Sequence, residues 1–178
     1  MIFLENLRLN PNDLHTNSRL EQNTYSFEKI VPTNINYSYE VLQNNIATLK
    51  AVYPFLQTEI IGKSVLGKDI VAIKLGTGQK EVFYSAAFHA NEWITAPLLM
   101  KFIEDFCISY INGSNIYGYN AENIFNNVSI YIVPMVNPDG VDLVTGAIQE
   151  NSIVYNNAKQ IAENFPSIPF PNRLESKY

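Results

Sequence analysis

Sulfur, imidazole and guanidinium are scarce in this chain. Cys107 is its single cysteine, so it forms no internal disulfide and no multi-cysteine metal centre. That suits a reducing compartment without excluding an exported protein. Basic charge is also short. The net charge is -5, with a sequence pI near 5.0 and no basic run, which argues against nucleic acid as a partner. No stretch approaches the roughly 20 apolar residues of a membrane span, so none is expected. The N-terminus MIFLENLRLNPND has neither a basic start nor a sustained apolar core, so no signal peptide is visible. Location stays open between the cytoplasm and export by another route. Only two histidines, three arginines and one tryptophan are present, so each is conspicuous where it falls.

Apolar residues are plentiful. They make up 47% of the 178 residues, against 16% charged, which describes a globular chain with one core. Residues 1–36 are polar and irregular, punctuated by Pro11 and Pro32, and read as an N-terminal arm or linker. From Tyr37 the pattern tightens. Leu42, Ile46, Leu49 and Tyr53 recur at helical spacing, and Pro54 ends the helix. Strands are expected over 57–64 and 69–75, on either side of the Leu66-Gly67 turn, and over 81–88. The last of these is apolar on both faces, which predicts a strand inside a sheet covered from both sides. A helix over about 94–111 follows, with Lys101, Glu104 and Asp105 on its polar side. Then come a strand over 128–136, a turn at Asn137-Pro138-Asp139-Gly140 and a helix over 152–164. Pro166, Pro169 and Pro171 exclude a helix interior from the tail. Strands alternating with helices give an α/β layered domain.

Metal-binding side chains gather in one place, the segment Phe88-His89-Ala90-Asn91-Glu92-Trp93 between strand 81–88 and helix 94–111. An imidazole and a carboxylate three positions apart can meet one Zn²⁺ when the backbone between them turns. Strand ends in α/β sheets are where ligands collect. Taken alone the pair also fits an ordinary surface turn. Its setting is more specific, because strand, HANEW, helix, strand and NPDG follow in a fixed order.

In that order, and in the wording of IGKSVLGKDI, SAAFHANEWITAPLLMKF, YIVPMVNPDGVDLVTGAI and IAENFPSIPFPNR, the chain resembles the carboxypeptidase A-like zinc peptidases. Within them it is most similar to the bacterial branch that cleaves γ-D-glutamyl–diaminopimelate bonds in cell-wall peptides. The resemblance runs from about Tyr37 to Arg173. It implies an incomplete mixed-sheet α/β/α domain, with residues 37–178 as the N-terminal part of a zinc carboxypeptidase-like domain. It also implies that His89 and Glu92 are the first two zinc ligands, Glu92 through both oxygens, and that the substrate is a peptide or muropeptide. In the family a second histidine ligand, a carbonyl-polarising arginine, an Asn-Arg pair and a glutamate general base lie further along. None has a counterpart here. No histidine follows Glu92, His15 lies in the arm, and Arg8, Arg19 and Arg173 lie near the two ends.

The expectation is therefore a metallopeptidase chain with no complete catalytic set of its own, inactive alone. It would be completed by a C-terminal fragment, or would self-associate through apolar edges at 81–88 or 128–136. The alternative is a non-catalytic remnant that binds wall peptides or a partner. Asn91 is a candidate substrate contact at a position where carboxypeptidases proper often carry arginine. Other residues read as structural. Trp93 packs under the loop, Cys107 sits in the core, and Asn137 to Gly140 form a turn in which Gly140 supplies positive φ and Asp139 bonds locally. Lys63 and Lys68 read as exposed turn charges.

Overall fold

The computed structural model describes residues 29–164; His15, the arginines and the proline-rich tail lie outside the described residues. Helix α1 (Tyr39–Val52) starts where the Ser38 hydroxyl accepts the Val41 N–H, and it buries Leu42, Ile46 and Leu49. A hairpin follows, β1 (Gln57–Lys63) and β2 (Asp69–Leu75), then β3 (Lys80–Ser85). Next is α2 (Thr95–Ile111), whose buried face carries Met100, Ile103, Phe106 and Cys107. A two-residue ribbon of β4 (Asn115–Ile116) and β5 (Tyr119–Asn120) leads to α3 (Ala121–Asn127), β6 (Val128–Val133), α4 (Pro138–Val144) and α5 (Ile153–Glu163).

The four long strands form a mixed sheet in the order β1-β2-β6-β3. β1/β2 and β2/β6 are antiparallel, whereas β3 runs parallel to β6. Residues directly opposite one another share a face. Val71, Ile73, Leu75, Ile130 and Ile132 thus point to one side, into a core they share with α1 and α2. Lys74, Tyr131 and Phe83 share the other side, where the Lys74 ammonium lies 5.3 Å from the Tyr131 ring centre. Strand expectations held closely at 57–64 and 69–75, and the helices expected at 94–111 and 152–164 are α2 and α5.

The interior placement of strand 81–88 is corrected, whereas its expected apolar edge is seen. The strand is not inside the sheet; among the described residues β3 is an edge strand paired with β6 alone. Its apolar side chains are left outside, with Phe83 63% exposed. The expected uncovered edge at 128–136 is corrected in the opposite sense, because β6 has a strand on each side. Closeness of the β2–β3 connection to the junction of α3 and β6 explains two glycines. A Cβ on Gly78 would fall 1.8 Å from the Asn127 carbonyl carbon, and one on Gly76, at φ +86°, 2.1 Å from the Val128 oxygen.

Two further corrections concern charge. Glu104, expected on the polar side of its helix, is fully buried and accepts the Ile30 N–H at 2.5 Å and the Lys101 ammonium at 2.6 Å. It holds the stretch around Val31, itself buried, onto α2, helped by the Asn45 amide donating to the Ile30 carbonyl. Lys68, expected as an exposed turn charge, is 19% exposed. Its ammonium reaches Asp142 at 2.6 Å, the Pro138 carbonyl at 3.3 Å and Asp139 at 3.5 Å. Asp139 also accepts the Ser64 hydroxyl and the Leu66 N–H, both at 2.9 Å, so its bonds are long-range rather than local. Asp142 takes the Tyr39 N–H at 2.7 Å. The β1–β2 turn, α1 and α4 thus meet at one cation and two carboxylates. Lys63, by contrast, is exposed as expected and pairs with Asp69 at 2.5 Å.

Removing one partner from a largely buried charge cluster leaves the others desolvated without compensation. Lys68→Met is expected to lower the unfolding free energy by about 1–3 kcal/mol, the range for hydrogen bonds to charged groups that keep some solvent. Urea denaturation followed by far-UV circular dichroism measures it. An unchanged midpoint would mean that Asp139 and Asp142 are satisfied without Lys68.

Candidate metal centre

The chain leaves β3 by a sharp bend. Ala87 adopts a left-handed conformation, φ 49°, which an alanine takes at a cost of about 1–2 kcal/mol. Three backbone bonds tie this exit to neighbouring structure, and a fourth closes the turn that follows. Ala86 N–H donates to Val133 and Val136 N–H to Ala86, each at 3.0 Å. Asn137 N–H donates to Ala87 at 3.1 Å, and Glu92 N–H closes a single 3-10 turn, residues 90–92, on His89 at 3.0 Å. Parallel pairing brings the ends of β3 and β6 side by side, so the loops that follow them pack together.

Beneath the 3-10 turn lies α4. The expected tight turn at Asn137–Gly140 is instead the start of this helix. The Asn137 side chain accepts the Gly140 N–H at 3.0 Å as an N-cap, with Pro138 in the first turn, where its missing donor is not needed. Gly140 has no positive φ. Its role is close approach, because a Cβ there would stand 2.9 Å from the Ala90 methyl. Ala90 is itself fully buried, and Trp93 packs against the core from the same turn, as expected.

On this support His89 and Glu92 face solvent together. His89 Nδ1 lies 3.1 Å from Glu92 Oε2, with the side chains 60% and 51% exposed. Two donors on one tetrahedral zinc, each bound at about 2.0–2.1 Å, stand about 3.3 Å apart. The pair therefore suits a shared zinc, imidazole and carboxylate being ordinary donors to it. Among the described residues no third His, Cys, Asp or Glu joins them in a cluster. Asn91 is exposed beside the pair, on the same turn. Cys107 is fully buried on α2, and burial, with the nearby Glu104 charge adding to it, pushes its thiol well above the ordinary range. It is a core residue and no nucleophile.

Sequence reasoning missed Thr95. Its hydroxyl accepts the Ala87 N–H at 2.9 Å and donates to the Glu92 carbonyl at 2.7 Å, spanning the whole bend. The one signal for it was a threonine at the first position of a helix that has no side-chain cap.

The sequence profile described as zinc carboxypeptidase (peptidase M14) matches residues 42–168, and the chain belongs to that family. It is 43% identical over 135 residues to gamma-D-glutamyl-L-diamino acid endopeptidase 1 of Lysinibacillus sphaericus, covering 76% of this chain and 34% of that protein. It is 35% identical over 133 residues to the uncharacterized Bacillus subtilis (strain 168) protein YqgT, covering 74% and 35%. Among solved structures, thrombin activatable fibrinolysis inhibitor superposes with a TM-score of 0.57 at 18% identity, over 70% of this chain and 32% of that one, a likeness of fold. The chain thus spans about one third of the length of these relatives. Among the described residues no helix is long and apolar enough to cross a membrane.

If the pair binds metal, His89→Ala and Glu92→Ala each abolish stoichiometric zinc uptake, measured by native mass spectrometry of the full chain. Retention of one zinc in both variants would remove this site from consideration.

Proposed function

We propose that this chain supplies the first two zinc ligands, His89 and Glu92, of a peptidase acting on γ-D-glutamyl–diaminopimelate links in cell-wall peptides. The observation that carries this reading is the convergence of the two donors, 3.1 Å apart, at the exit of β3. Identity of 43% to a gamma-D-glutamyl-L-diamino acid endopeptidase supports the substrate class. Residues from 37 onward make up the N-terminal part of the catalytic domain. The second histidine, the polarising arginine, the substrate-holding Asn-Arg pair and the glutamate base come from polypeptide beyond this third of the family's length.

Zinc held there would polarise the scissile carbonyl and acidify a bound water. The chain's own part is narrower. His89 and Glu92 fix one flank of the metal, and Asn91 stands where it can meet substrate. A catalytic zinc site uses three protein ligands and one open position, and two ligands from a single turn hold the ion more weakly. Proton transfer from water also needs a positioned base. On its own, then, the chain is expected to turn over no peptide. Release of diaminopimelate-containing fragments from muropeptides, assayed on the zinc-loaded chain, tests this. Turnover that scales with protein and disappears in His89→Ala would refute it. Muropeptide binding that persists without turnover when the rest of the domain is supplied would instead favour a non-catalytic wall-peptide binder.

The remainder of the domain is proposed to meet this chain at the β3 edge. Phe83 on one face is 63% exposed; on the other, Tyr84 with Leu98, Leu99, Phe102, Tyr117 and the Lys101 side chain lines a hollow of about 320 Å³. A strand edge with apolar side chains on both faces pairs readily with another polypeptide. The chain by itself is therefore expected to self-associate, or to be captured by a complementing C-terminal fragment. Light scattering coupled to size exclusion decides, and a monodisperse monomer that ignores the fragment would contradict the assignment.

A further inference from the structure

We propose that Thr95 is the positioning residue of the His89–Glu92 pair, an inference that rests on the zinc reading above. One hydroxyl can donate once and accept twice. Thr95 uses its proton on the Glu92 carbonyl at 2.7 Å and a lone pair on the Ala87 N–H at 2.9 Å. The two bonds staple the residue that opens the bend to the residue that carries the carboxylate. Between them lie Phe88 to Asn91, including the imidazole.

Among the described residues no other hydrogen bond joins the two ends of this span. The backbone bonds from β6 and α4 reach Ala86 and Ala87 and stop there. Further on, Glu92 N–H bonds within the turn, to His89. Gly140 lies close beneath Ala90, in the middle of the turn, and so supports the span without joining its two ends. Among the described residues Thr95 alone ties both ends by hydrogen bonds, and its branched Cβ restricts χ1, so the hydroxyl is held in place. Ala87 is also where the bend stores left-handed strain, and the Thr95 oxygen satisfies the N–H of that residue. Partners that orient metal ligands without touching the metal commonly govern affinity.

Titrating the full chain with Zn²⁺, and with Co²⁺ for its visible absorption, compares wild type, Thr95→Val and Thr95→Ser. Thr95→Val keeps the shape and removes both bonds, and is expected to weaken zinc about 10- to 100-fold, whereas Thr95→Ser, which restores the hydroxyl, recovers most of that loss. The Co²⁺ spectrum should change in Thr95→Val and return in Thr95→Ser, which a general loss of stability would not produce. Thr95→Ala carries the same comparison if valine disturbs the helix start. Equal zinc affinity in wild type and Thr95→Val would overturn the inference and leave the zinc reading intact. Failure of wild type to bind zinc through His89 would overturn both. Exchange of the Ala87 amide, followed by NMR without metal, then shows whether the clasp itself exists: it accelerates in Thr95→Val if Thr95 holds that N–H.

Discussion

Parallel pairing between β3 and β6 is the constraint on which the candidate site depends. Two strands that run the same way release their following loops at the same end of the sheet. In this chain those loops carry the HANEW turn and the start of α4, and Ala86, Ala87, Val133, Val136 and Asn137 bond them together along their backbones. An antiparallel β3 would send the imidazole and carboxylate to the opposite end, away from α4. The geometry of the His89–Glu92 pair is thus a consequence of strand direction first and of side-chain chemistry second. Glycine does the fitting, since Gly78 lets β3 lie against the end of α3 and Gly140 lets α4 lie against Ala90.

Behind α4 stands a second layer of support. Lys68 gathers Asp139, Asp142 and the Pro138 carbonyl, while Ser64, Leu66 and Tyr39 donate to the same two carboxylates. The helix that props the ligand turn is therefore anchored to the β1–β2 hairpin and to the first turn of α1. This explains how a chain with about one third of its relatives' length still builds a hydrogen-bonded floor for the turn: every element of that floor lies within residues 39–144. What the described residues do not include is anything covering the free side of β3, and that side is where apolar surface remains.

Much of this was legible in the sequence. Periodicity located α1, β2 and α2 because each has a buried stripe that repeats at its own period, whereas β1, which buries no residue fully, was placed by the turn it shares with β2. The HANEW turn was legible because imidazole, carboxylate and tryptophan are rare here and fall together between a strand and a helix. Surroundings were harder to read. β3 looks like an interior strand because Val82, Phe83 and Tyr84 are apolar on both faces, and a strand's composition records the environment of the whole fold rather than of one segment. Asn137-Pro138-Asp139-Gly140 looks like a turn because the same residues that favour turns also cap helices. Lys68 and Thr95 were illegible for a simpler reason. Their partners, Asp142 and Ala87, are identified only by the folded path of the chain.

Trp93 is the only tryptophan in the sequence, and it packs against the core from the turn that bears Glu92. Its indole emission consequently reports on one place in the molecule, the underside of the ligand turn, with no second fluorophore of its kind to mask it. The protein carries a built-in optical probe beside the His89–Glu92 pair.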